Sequence, residues 1–287
     1  FSRESRVTRR TRGTRGTIKS RRTRRTRYLY KMIRVDLERV DSTNTEIRRM
    51  MADGCAGYET LVVSASDQYS GRGQQGHTWE SEAGKNLSFS LLCHPRSIRP
   101  SEQFILSQAI ALSVVDVLKE ISSKESETSV HPLNFLDYSV KWPNDIYYGT
   151  SKICGILIEC DIQGKILDNC IIGVGINVNQ ESFGYYIPPA ISLRSIYGHD
   201  FDIKMLLDCI LSRFEDYYES VRFGYFAPIR TNYLSALYRK DGVYHYSDSS
   251  GDFYATISCI EPDGHIVLSD TSGNLRRYAF KEVKYID

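Results

Sequence analysis

The sequence predicts an α/β protein of the α+β type, in which a mixed sheet flanked by helices is followed by a small β-barrel. Two observations support this class. Up to about residue 239, apolar runs of strand length alternate with segments whose apolar residues recur every three to four positions. From Gly242 onward, short alternating segments are separated by glycine-containing turns. At 287 residues, the chain is long enough for one large domain and one small one.

The first part of the predicted large domain combines strands with two amphipathic helices. In order, we expect a strand at 33–40 (IRVDLERV), a short helix near 43–52, strands at 60–66 (TLVVSAS) and 87–94 (LSFSLLCH), and a helix that begins at Ser101 and Glu102. That helix keeps its apolar spacing through Leu118, and the polar residues 122–137 are predicted to form a loop.

The second part is rich in β-structure before it returns to helix. In order, the expected elements are the β segments SVKWPNDIYY (139–148), ICGILIECDIQ (153–163) and ILDNCIIGVGINVN (166–179), a helix at 203–222, a helix through about 239, and the strands GVYHYS, FYATISCIE, HIVLSD and LRRYAF. Gly164 marks the turn between the second and third β segments.

The charge of the chain is divided between a basic tail and an acidic body. Residues 1–31 hold 13 of the 37 Lys and Arg residues and one of the 35 acids, which leaves 24 basic and 34 acidic residues elsewhere. This Arg/Thr segment has too few apolar residues for a core. A nucleic-acid-binding arm, a transit peptide and non-native sequence ahead of a start at Met32 are the alternatives. We favour the last and expect a disordered tail.

The seven cysteines are scattered without C-x-x-C pairs, which predicts reduced and mostly buried thiols. The sequence contains no signal-peptide pattern and no apolar run of membrane-spanning length. We therefore expect a soluble cytoplasmic protein that contacts no membrane.

The glycine-rich stretch YSGRGQQGHTW fits two nucleotide-binding patterns by its spacing. Gly71, Gly73 and Gly76 match G-x-G-x-x-G, and the stretch nearly matches the phosphate loop, with His77 where Lys belongs. Both patterns require a helix directly after the loop, whereas this loop leads into the strand LSFSLLCH. Neither nucleotide fold fits. The loop is either a mobile hairpin or a nest of backbone amides that binds an anion.

Three further polar clusters each allow a structural and a chemical interpretation. The segment DSTN, which begins at Asp41, could cap the following helix or hydrogen-bond a polar ligand. In KWPND, Asn144 and Asp145 could form a turn after the proline, bind Mg²⁺ or accept a proton. Lys152 could be an ordinary surface lysine or could neutralise a phosphate.

Taken together and in this order, the motifs DSTN, GRGQQGHTW, NLSFS, KWPNDI, KICGILIE and GVGINVN closely resemble the biotin protein ligases, or biotin–[acetyl-CoA-carboxylase] ligases. The resemblance spans about residues 32–287. It implies a catalytic domain at 32–238 with a fold like that of class II aminoacyl-tRNA synthetases, and an SH3-like β-barrel at 239–287.

The resemblance also implies a two-step reaction. Biotin carboxylate attacks the α-phosphate of MgATP to give biotinyl-5′-AMP and diphosphate, and a lysine of a biotin carboxyl carrier domain then displaces AMP. An anion must approach a polyanion in the first step, so cations are needed. The resemblance implies that Lys152 is the principal catalytic residue and that Arg72 is the second cation. Asp145 would orient or deprotonate the carrier lysine, and Asn144 or Asp145 would bind Mg²⁺.

The remaining assignments follow the family's motifs. The positions that match biotin contacts are Ser42, Thr43, Asn44, Gln68, Gly71, Arg72, Gly73, Gln74, Lys152 and Gly155. The positions that match ATP or adenylate contacts are Arg72, His77, Trp79, Asn144, Lys152, Gly173 and Asn177, with Trp79 stacking on adenine. Neutral donors and acceptors suit an uncharged bicyclic ring such as that of biotin.

The chain departs from the family in two places. Many relatives have the loop GRGRxGR, whereas Gln74 and His77 stand here at the later basic positions. We therefore expect weaker retention of biotinyl-AMP, with a pH dependence through His77. Some relatives also carry an N-terminal winged-helix domain, whereas this chain has the Arg/Thr tail, which favours a ligase without repressor function.

Two other functions are considered. A lipoate or octanoate ligase or transferase would share the fold and the lysine, but the GRG loop and KWPND favour biotin. An added nucleic-acid-binding role would depend on the basic tail alone, because the body is acidic. The expected partners are therefore biotin, ATP, a carboxylase carrier domain and, as the family often dimerises through sheet edges, a second copy of the chain.

Overall fold

The structure is a computed structural model that describes residues 17–20, 32–54, 60–74, 78–128, 137–185 and 188–286. The strands are β1 (Thr17–Ser20), β2 (Met32–Val40), β3 (Thr60–Gln68), β4 (Gly71–Arg72), β5 (Thr78–Trp79), β6 (Leu87–Cys93), β7 (Tyr138–Lys141), β8 (Asp145–Tyr148), β9 (Ser151–Gln163), β10 (Ile166–Ile176), β11 (Tyr244–Asp248), β12 (Gly251–Ile260), β13 (Ile266–Asp270), β14 (Leu275–Tyr278) and β15 (Lys284–Tyr285). The helices are α1 (Thr43–Ala52), α2 (Phe104–Thr128), α3 (Leu193–Tyr197), α4 (Ile203–Arg222) and α5 (Phe226–Ser235).

The chain divides into two compact units that alternate along the sequence. The first unit combines the residues up to Arg96 with Ser151–Leu207, and the second combines Ser97–Thr150 with the residues from Asp208 onward. The boundary near residue 207 falls within α4. The predicted division into a tail at 1–31 and domains at 32–238 and 239–287 stays a prediction, but the expectation of a disordered tail is wrong for residues 17–20, which form β1 and pair with β2.

The first unit is built on a mixed sheet. Its strands follow the order β1-β2-β3-β6-β10-β9. The strands β2 and β3 run parallel, and every other neighbouring pair among these six is antiparallel. The parallel pair is joined through α1, as a parallel connection requires a crossover rather than a hairpin. The predicted mixed sheet is confirmed.

The core of the first unit lies between one face of this sheet and α1. Ile47 projects from α1 and is completely buried, while Met50 and Met51 pack at the edge of the same cluster. The sheet contributes the buried residues Ile33, Val35, Leu61, Val63, Leu92 and Ile171. These alternate along their strands, because successive side chains in a strand point to opposite faces. The start of α1 is thereby fixed over the sheet.

The second unit contains α2, the β7–β8 hairpin, α5 and an antiparallel C-terminal sheet in the order β14-β13-β12-β11-β15. Phe104 of α2 meets Tyr233 of α5 edge to face, with 5.7 Å between ring centroids. Trp142 donates its indole N–H to the carbonyl oxygen of Gly264 at 2.8 Å. The predicted C-terminal β module is confirmed as an antiparallel sheet.

Several element boundaries differ from the sequence-based expectation. The helix α2 continues to Thr128, so the predicted loop at 122–137 is wrong at its start. The last turns of α2 are polar, so apolar spacing does not indicate that the helix continues. In these turns the hydroxyls of Ser123 and Ser126 donate to backbone carbonyls four residues earlier. The helix α5 ends at Ser235, whereas the sequence predicts that it continues to about residue 239.

No helix in the described part of the chain is long and apolar enough to cross a membrane.

The cysteines also differ from expectation. Cys160 and Cys170 form a disulfide between directly opposed positions of β9 and β10, with a Cα–Cα distance of 4.2 Å. The expectation that all thiols are reduced is therefore wrong for this pair, because strand register, which sequence spacing does not reveal, brings the two together. Cys93 and Cys154 are buried and form no disulfide within the described part of the chain, as expected, whereas Cys209 and Cys259 are free and exposed. Cys55 lies outside the described residues.

Candidate active site

One face of the sheet in the first unit lacks side chains at two neighbouring positions. Gly175 of β10 lies directly opposite Gly155 of β9 on one side and Ser88 of β6 on the other. Directly opposed residues in antiparallel strands point to the same face. The two glycines therefore form a bare floor, with the small side chain of Ser88 beside it.

Trp79 of β5 covers this floor. A Cβ atom at Gly175 would lie 2.6 Å from Trp79 Nε1, and one at Gly155 would lie 3.1 Å from Trp79 Cζ3. Only glycine allows the indole to approach the strands so closely. Trp79 Nε1 and Ser88 Oγ are buried, and neither has a hydrogen-bond partner among the described residues. The covered floor thus holds two polar atoms that a ligand could engage.

Lys152 stands beside the indole at the start of β9. Its Nζ lies 5.7 Å from the centre of the Trp79 ring, within range of a cation–π interaction. Its backbone is held on both sides, because its N–H donates to Pro189 O at 2.8 Å and its carbonyl accepts from Ile191 N at 3.0 Å. The lysine therefore projects from a fixed stretch of backbone next to the floor.

A hydrogen-bonded network of neutral side chains lies at the start of α1. Gln68 Oε1 accepts from both the backbone N–H of Thr43, at 2.9 Å, and its hydroxyl, at 3.1 Å. The Thr43 hydroxyl also lies 2.6 Å from Ser90 Oγ, which donates to Asn44 Oδ1 at 2.5 Å. Thr43, Asn44 and Ser90 are buried, so their orientations are fixed by these bonds.

The segment that precedes α1 is fixed by an ion pair. Asp41 accepts from the Ser42 N–H at 2.7 Å and from two nitrogens of Arg49. The hydrogen bonds from Arg49 hold the pKa of the Asp41 carboxyl below its usual value. Ser42 occupies the N-cap position of α1, but its side chain makes no capping hydrogen bond. The hydroxyl of this buried serine is therefore not used to cap the helix.

Arg72 of β4 reaches the sheet through Glu159. Its guanidinium forms an ion pair with one carboxylate oxygen of Glu159, and the other oxygen accepts from Asn44 Nδ2 at 2.9 Å. Gly173 lies under Asn44, since a Cβ atom there would lie 3.0 Å from Asn44 Cγ. One carboxylate thus joins the glycine-rich loop to the start of α1.

The rest of the loop is described only in part. Gly71 packs tightly, since a Cβ atom there would lie 2.7 Å from Gln68 Nε2. Gly73 follows β4, and Gln74 after it has its amide oxygen buried without a partner among the described residues. His77 lies outside the described residues, so its predicted role stays a prediction.

Asn177 follows β10 and is buried. Its Nδ2 donates to Ile191 O at 3.1 Å, and its backbone N–H donates to Ile153 O at 2.9 Å. The side chain therefore ties the end of β10 to the segment that also holds Lys152.

Asn144 and Asp145 belong to the second unit. Asn144 lies in the turn of the β7–β8 hairpin, and Asp145 is the first residue of β8. The turn begins with Trp142, whose peptide bond to Pro143 is cis. The predicted structural role of this segment as a turn after the proline is confirmed, and its chemical role stays a prediction.

The structure therefore brings most predicted residues of the first unit together on one sheet face. The described members of this group are Ser42, Thr43, Asn44, Gln68, Gly71, Arg72, Trp79, Lys152, Gly155 and Gly173. Sequence reasoning missed Ser88, Ser90, Glu159 and Gly175. Alternation along β9 and β10 was a signal for Glu159 and Gly175, because they share a face with Gly155 and Gly173, whereas Ser88 and Ser90 belong to β6, which holds no predicted site residue.

Comparison with known proteins agrees with this arrangement. Residues 37–177 match the model of the biotin/lipoate A/B protein ligase family. A biotin–[acetyl-CoA-carboxylase] ligase of Paracoccus denitrificans is 26% identical over 243 residues, which cover 83% of this chain and 94% of that protein. The bifunctional ligase/repressor BirA of Bacillus subtilis is 28% identical over 242 residues, which cover 83% of this chain and 70% of the relative.

A solved structure supports the same fold. The biotin protein ligase from Aquifex aeolicus in complex with biotin and ATP superimposes with a TM-score of 0.68 at 24% identity, covering 88% of this chain and 99% of that one. At this level of identity the likeness concerns the fold, which is that of a biotin ligase catalytic domain.

Proposed function

Because residues 37–177 match the biotin/lipoate A/B protein ligase family and a relative over most of the chain is a biotin–[acetyl-CoA-carboxylase] ligase, we propose that this protein is an ATP-dependent ligase that forms biotinyl-5′-AMP and transfers biotin to a lysine of a biotin carboxyl carrier domain. The observation that carries this proposal is the covered glycine floor. Trp79 lies over Gly155 and Gly175, Lys152 stands at its edge, and a network of neutral polar side chains lies on the same sheet face.

In the first step, a carboxylate oxygen of biotin bonds to the α-phosphorus of ATP while the bond from that phosphorus to the diphosphate oxygen breaks. Two anions must meet, so positive charge lowers the barrier. Lys152 is suited to contact both the biotin carboxylate and the α-phosphate, because its backbone is held by Pro189 and Ile191. Arg72 supplies the second positive charge.

The neutral network is suited to the biotin ring. Thr43, Asn44 and Gln68 are held by one another and by Ser90, so their remaining hydrogen-bonding capacity points in fixed directions. Such a lining selects an uncharged polar ring over a simple fatty chain. The other residues proposed to contact biotin are Ser42, Gly71, Arg72, Gly73, Gln74, Lys152 and Gly155.

The adenylate side is proposed to include the indole of Trp79, which stacks on adenine. Asn177 already donates to Ile191 O, so its contribution is to position the segment that anchors Lys152. Gly173 lies under Asn44 and permits that side chain to approach the strand. Arg72, His77, Asn144 and Lys152 complete the set proposed to contact ATP.

Magnesium is proposed to accompany ATP. Asn144 and Asp145 offer an amide and a carboxylate oxygen on adjacent residues, a donor set that fits Mg²⁺, which is usually bound through one or two carboxylates together with phosphate oxygens and water. When bound, Mg²⁺ would neutralise phosphate charge.

In the second step, the amine of the carrier lysine attacks the acyl carbon of biotinyl-5′-AMP. An amide bond forms, the bond from the acyl carbon to the phosphate oxygen breaks, and AMP leaves. The amine must lose a proton, and Asp145 is proposed to orient it or accept that proton. We also propose a cytoplasmic location and a homodimer.

A lipoate or octanoate ligase is the alternative within the same family, because the matching family model includes both classes. A measurement of diphosphate release distinguishes a biotin ligase from a lipoate or octanoate ligase. The protein is incubated with MgATP and biotin, lipoate or octanoate in turn, and diphosphate is measured. We expect release that depends on biotin. Release with lipoate or octanoate, but not with biotin, would assign the chain to the other class.

A further inference from the structure

Glu159 is an acidic residue that contacts two of the predicted substrate-binding side chains of the first unit, those of Arg72 and Asn44. It lies on the same face of β9 as Gly155, since residues four apart in a strand point the same way. Its side chain is 22% exposed, against 44% for its partner Arg72. The carboxylate is thus the more buried member of the ion pair, and the arginine is the more exposed one.

Both oxygens of this carboxylate are engaged. One accepts from the guanidinium of Arg72, and the other accepts from Asn44 Nδ2. Asn44 Oδ1 accepts a hydrogen bond from the hydroxyl of Ser90, so both the oxygen and the nitrogen of the Asn44 amide are held in place. Arg72 belongs to the short β4–β5 hairpin, whereas Asn44 is in the first turn of α1. Glu159 therefore holds the hairpin against the sheet.

This arrangement places a negative charge where the proposed reaction brings another. The biotin carboxylate and the α-phosphate are anions, and Arg72 is the loop cation proposed to meet them. A guanidinium already paired with a carboxylate offers less positive potential to a second anion. A half-exposed ion pair is weak enough to be exchanged, because water screens it.

We propose that Glu159 is a placeholder for the anionic group of the substrate. In the ligand-free protein, its carboxylate holds Arg72 at the sheet. When the acyl-adenylate binds, its phosphate replaces Glu159 as the partner of Arg72, and Glu159 keeps its hydrogen bond from Asn44. This inference rests on the proposed function for the identity of the anion, but the ion pair itself does not.

The variant Glu159→Gln removes the charge and retains an acceptor for Asn44 Nδ2. A matched control is Asp161→Asn, which removes one charge from the same face of β9 and breaks a similar pair, with Arg48 of α1 at 3.4 Å. Both variants are compared with the wild-type chain by thermal unfolding, so that loss of folding is recognised directly.

The first measurement needs no ligand. Limited digestion with trypsin is followed by mass spectrometry, and the rate at which a new terminus appears at Gly73 reports how often the Arg72 side chain is available. We expect faster cleavage after Arg72 in Glu159→Gln and wild-type rates in Asp161→Asn. Equal rates in all three proteins would show that Glu159 does not hold Arg72 and would overturn the inference.

The second measurement is calorimetric binding of a non-hydrolysable biotinyl-adenylate analogue. We expect Glu159→Gln to bind it roughly two- to fivefold more tightly, the range that exposed ion pairs span. The gain should vanish in an Arg72→Gln background, because the two residues act as one pair. Unchanged or weaker binding by Glu159→Gln, or a gain that persists without Arg72, would contradict the placeholder role.

The two measurements separate this inference from the proposed function. If the wild-type protein binds no biotinyl-adenylate analogue while cleavage after Arg72 responds to Glu159→Gln, the ion pair stands and the proposed ligand is wrong. If the wild type binds the analogue and Glu159→Gln changes neither cleavage nor affinity, the proposed function stands and the placeholder is wrong.

Discussion

The indole of Trp79 lies directly on the backbone of Gly175, so that a Cβ atom at this glycine would be 2.6 Å from Trp79 Nε1. Real side chains do not approach so closely, which means that alanine at position 175 must displace the indole. The contact joins the glycine-rich loop to β10 and fixes where the loop ends. Gly175 does not have a positive φ angle, so its backbone conformation does not require glycine. Glycine is required here for the close approach of the indole.

Gly175→Ala should therefore move Trp79 off the floor. We expect biotin-dependent diphosphate release to fall about 10- to 100-fold, because a misplacement of about 1 Å in a binding group has effects of this size. Tryptophan fluorescence provides the structural readout, as the chain contains only two tryptophans. Gly155→Ala is a graded control, since its Cβ atom would lie 3.1 Å from the ring and should disturb it less. Equal effects in both variants, or none, would contradict this account.

Thr43→Val should weaken the neutral network without changing the shape of the side chain. The variant loses the hydroxyl contacts to Gln68 and Ser90, so we expect the free energy of unfolding to fall by about 1 kcal/mol. Biotin affinity should fall as well, because Gln68 is less firmly oriented. Urea unfolding and biotin titration measure the two effects. Thr45→Val, on the same helix but outside this network, is the control; if both variants behave alike, the network does not orient the site.

Gln74→Arg should restore one positive charge to the loop. A hydrogen bond to a charged group contributes about 1.5–3 kcal/mol, so dissociation of biotinyl-5′-AMP should slow by about tenfold or more. The measurement is release of the intermediate from the isolated complex. Gln163→Arg adds the same charge at an exposed position near the end of β9 and should leave the rate unchanged. A rate in Gln74→Arg equal to that of the wild type would reject the idea.

Trp142→Phe should weaken the second unit. The variant loses the hydrogen bond from the indole N–H to Gly264 O, which links the KWPND turn to the C-terminal sheet, while an aromatic ring remains beside Phe280. We expect the free energy of unfolding to fall by about 1 kcal/mol. Denaturant unfolding measures it. Unaltered stability would mean that this link does not hold the turn, and would favour an independent domain at 239–287.

The order of strands and helices could be predicted from the sequence because apolar spacing is a local property. The helix of residues 203–222 and the turn at Gly164 were predicted in this way and are confirmed. The contacts of Glu159 could not be predicted, because its two partners are distant in sequence: Arg72 is separated from it by 87 positions and Asn44 by 115. Its position depends on the register of β9, which apolar spacing does not determine.

The glycine-rich loop is a strand–loop–strand connection, as its sequence predicts, whereas its internal contacts do not follow from the sequence pattern. The sequence indicated that Gly71 and Gly73 would allow a close approach of backbone to ligand. The structure shows close approaches at Gly71, Gly173 and Gly175, and at all three the neighbouring atoms belong to other protein residues, among them Trp79 and Asn44. The pairing of Cys160 with Cys170 was missed for the same reason as Glu159, since only the antiparallel register brings them together.

The most direct test is covalent modification of a carrier domain. The protein is incubated with biotin, MgATP and a biotin carboxyl carrier domain, and the mass of the carrier is measured. We expect an increase equal to one biotin less one water. Lys152→Ala should reduce the rate about 100- to 1,000-fold, whereas Lys165→Ala, in the exposed turn between β9 and β10, should not. A carrier whose mass is unchanged by the wild-type protein would contradict the account.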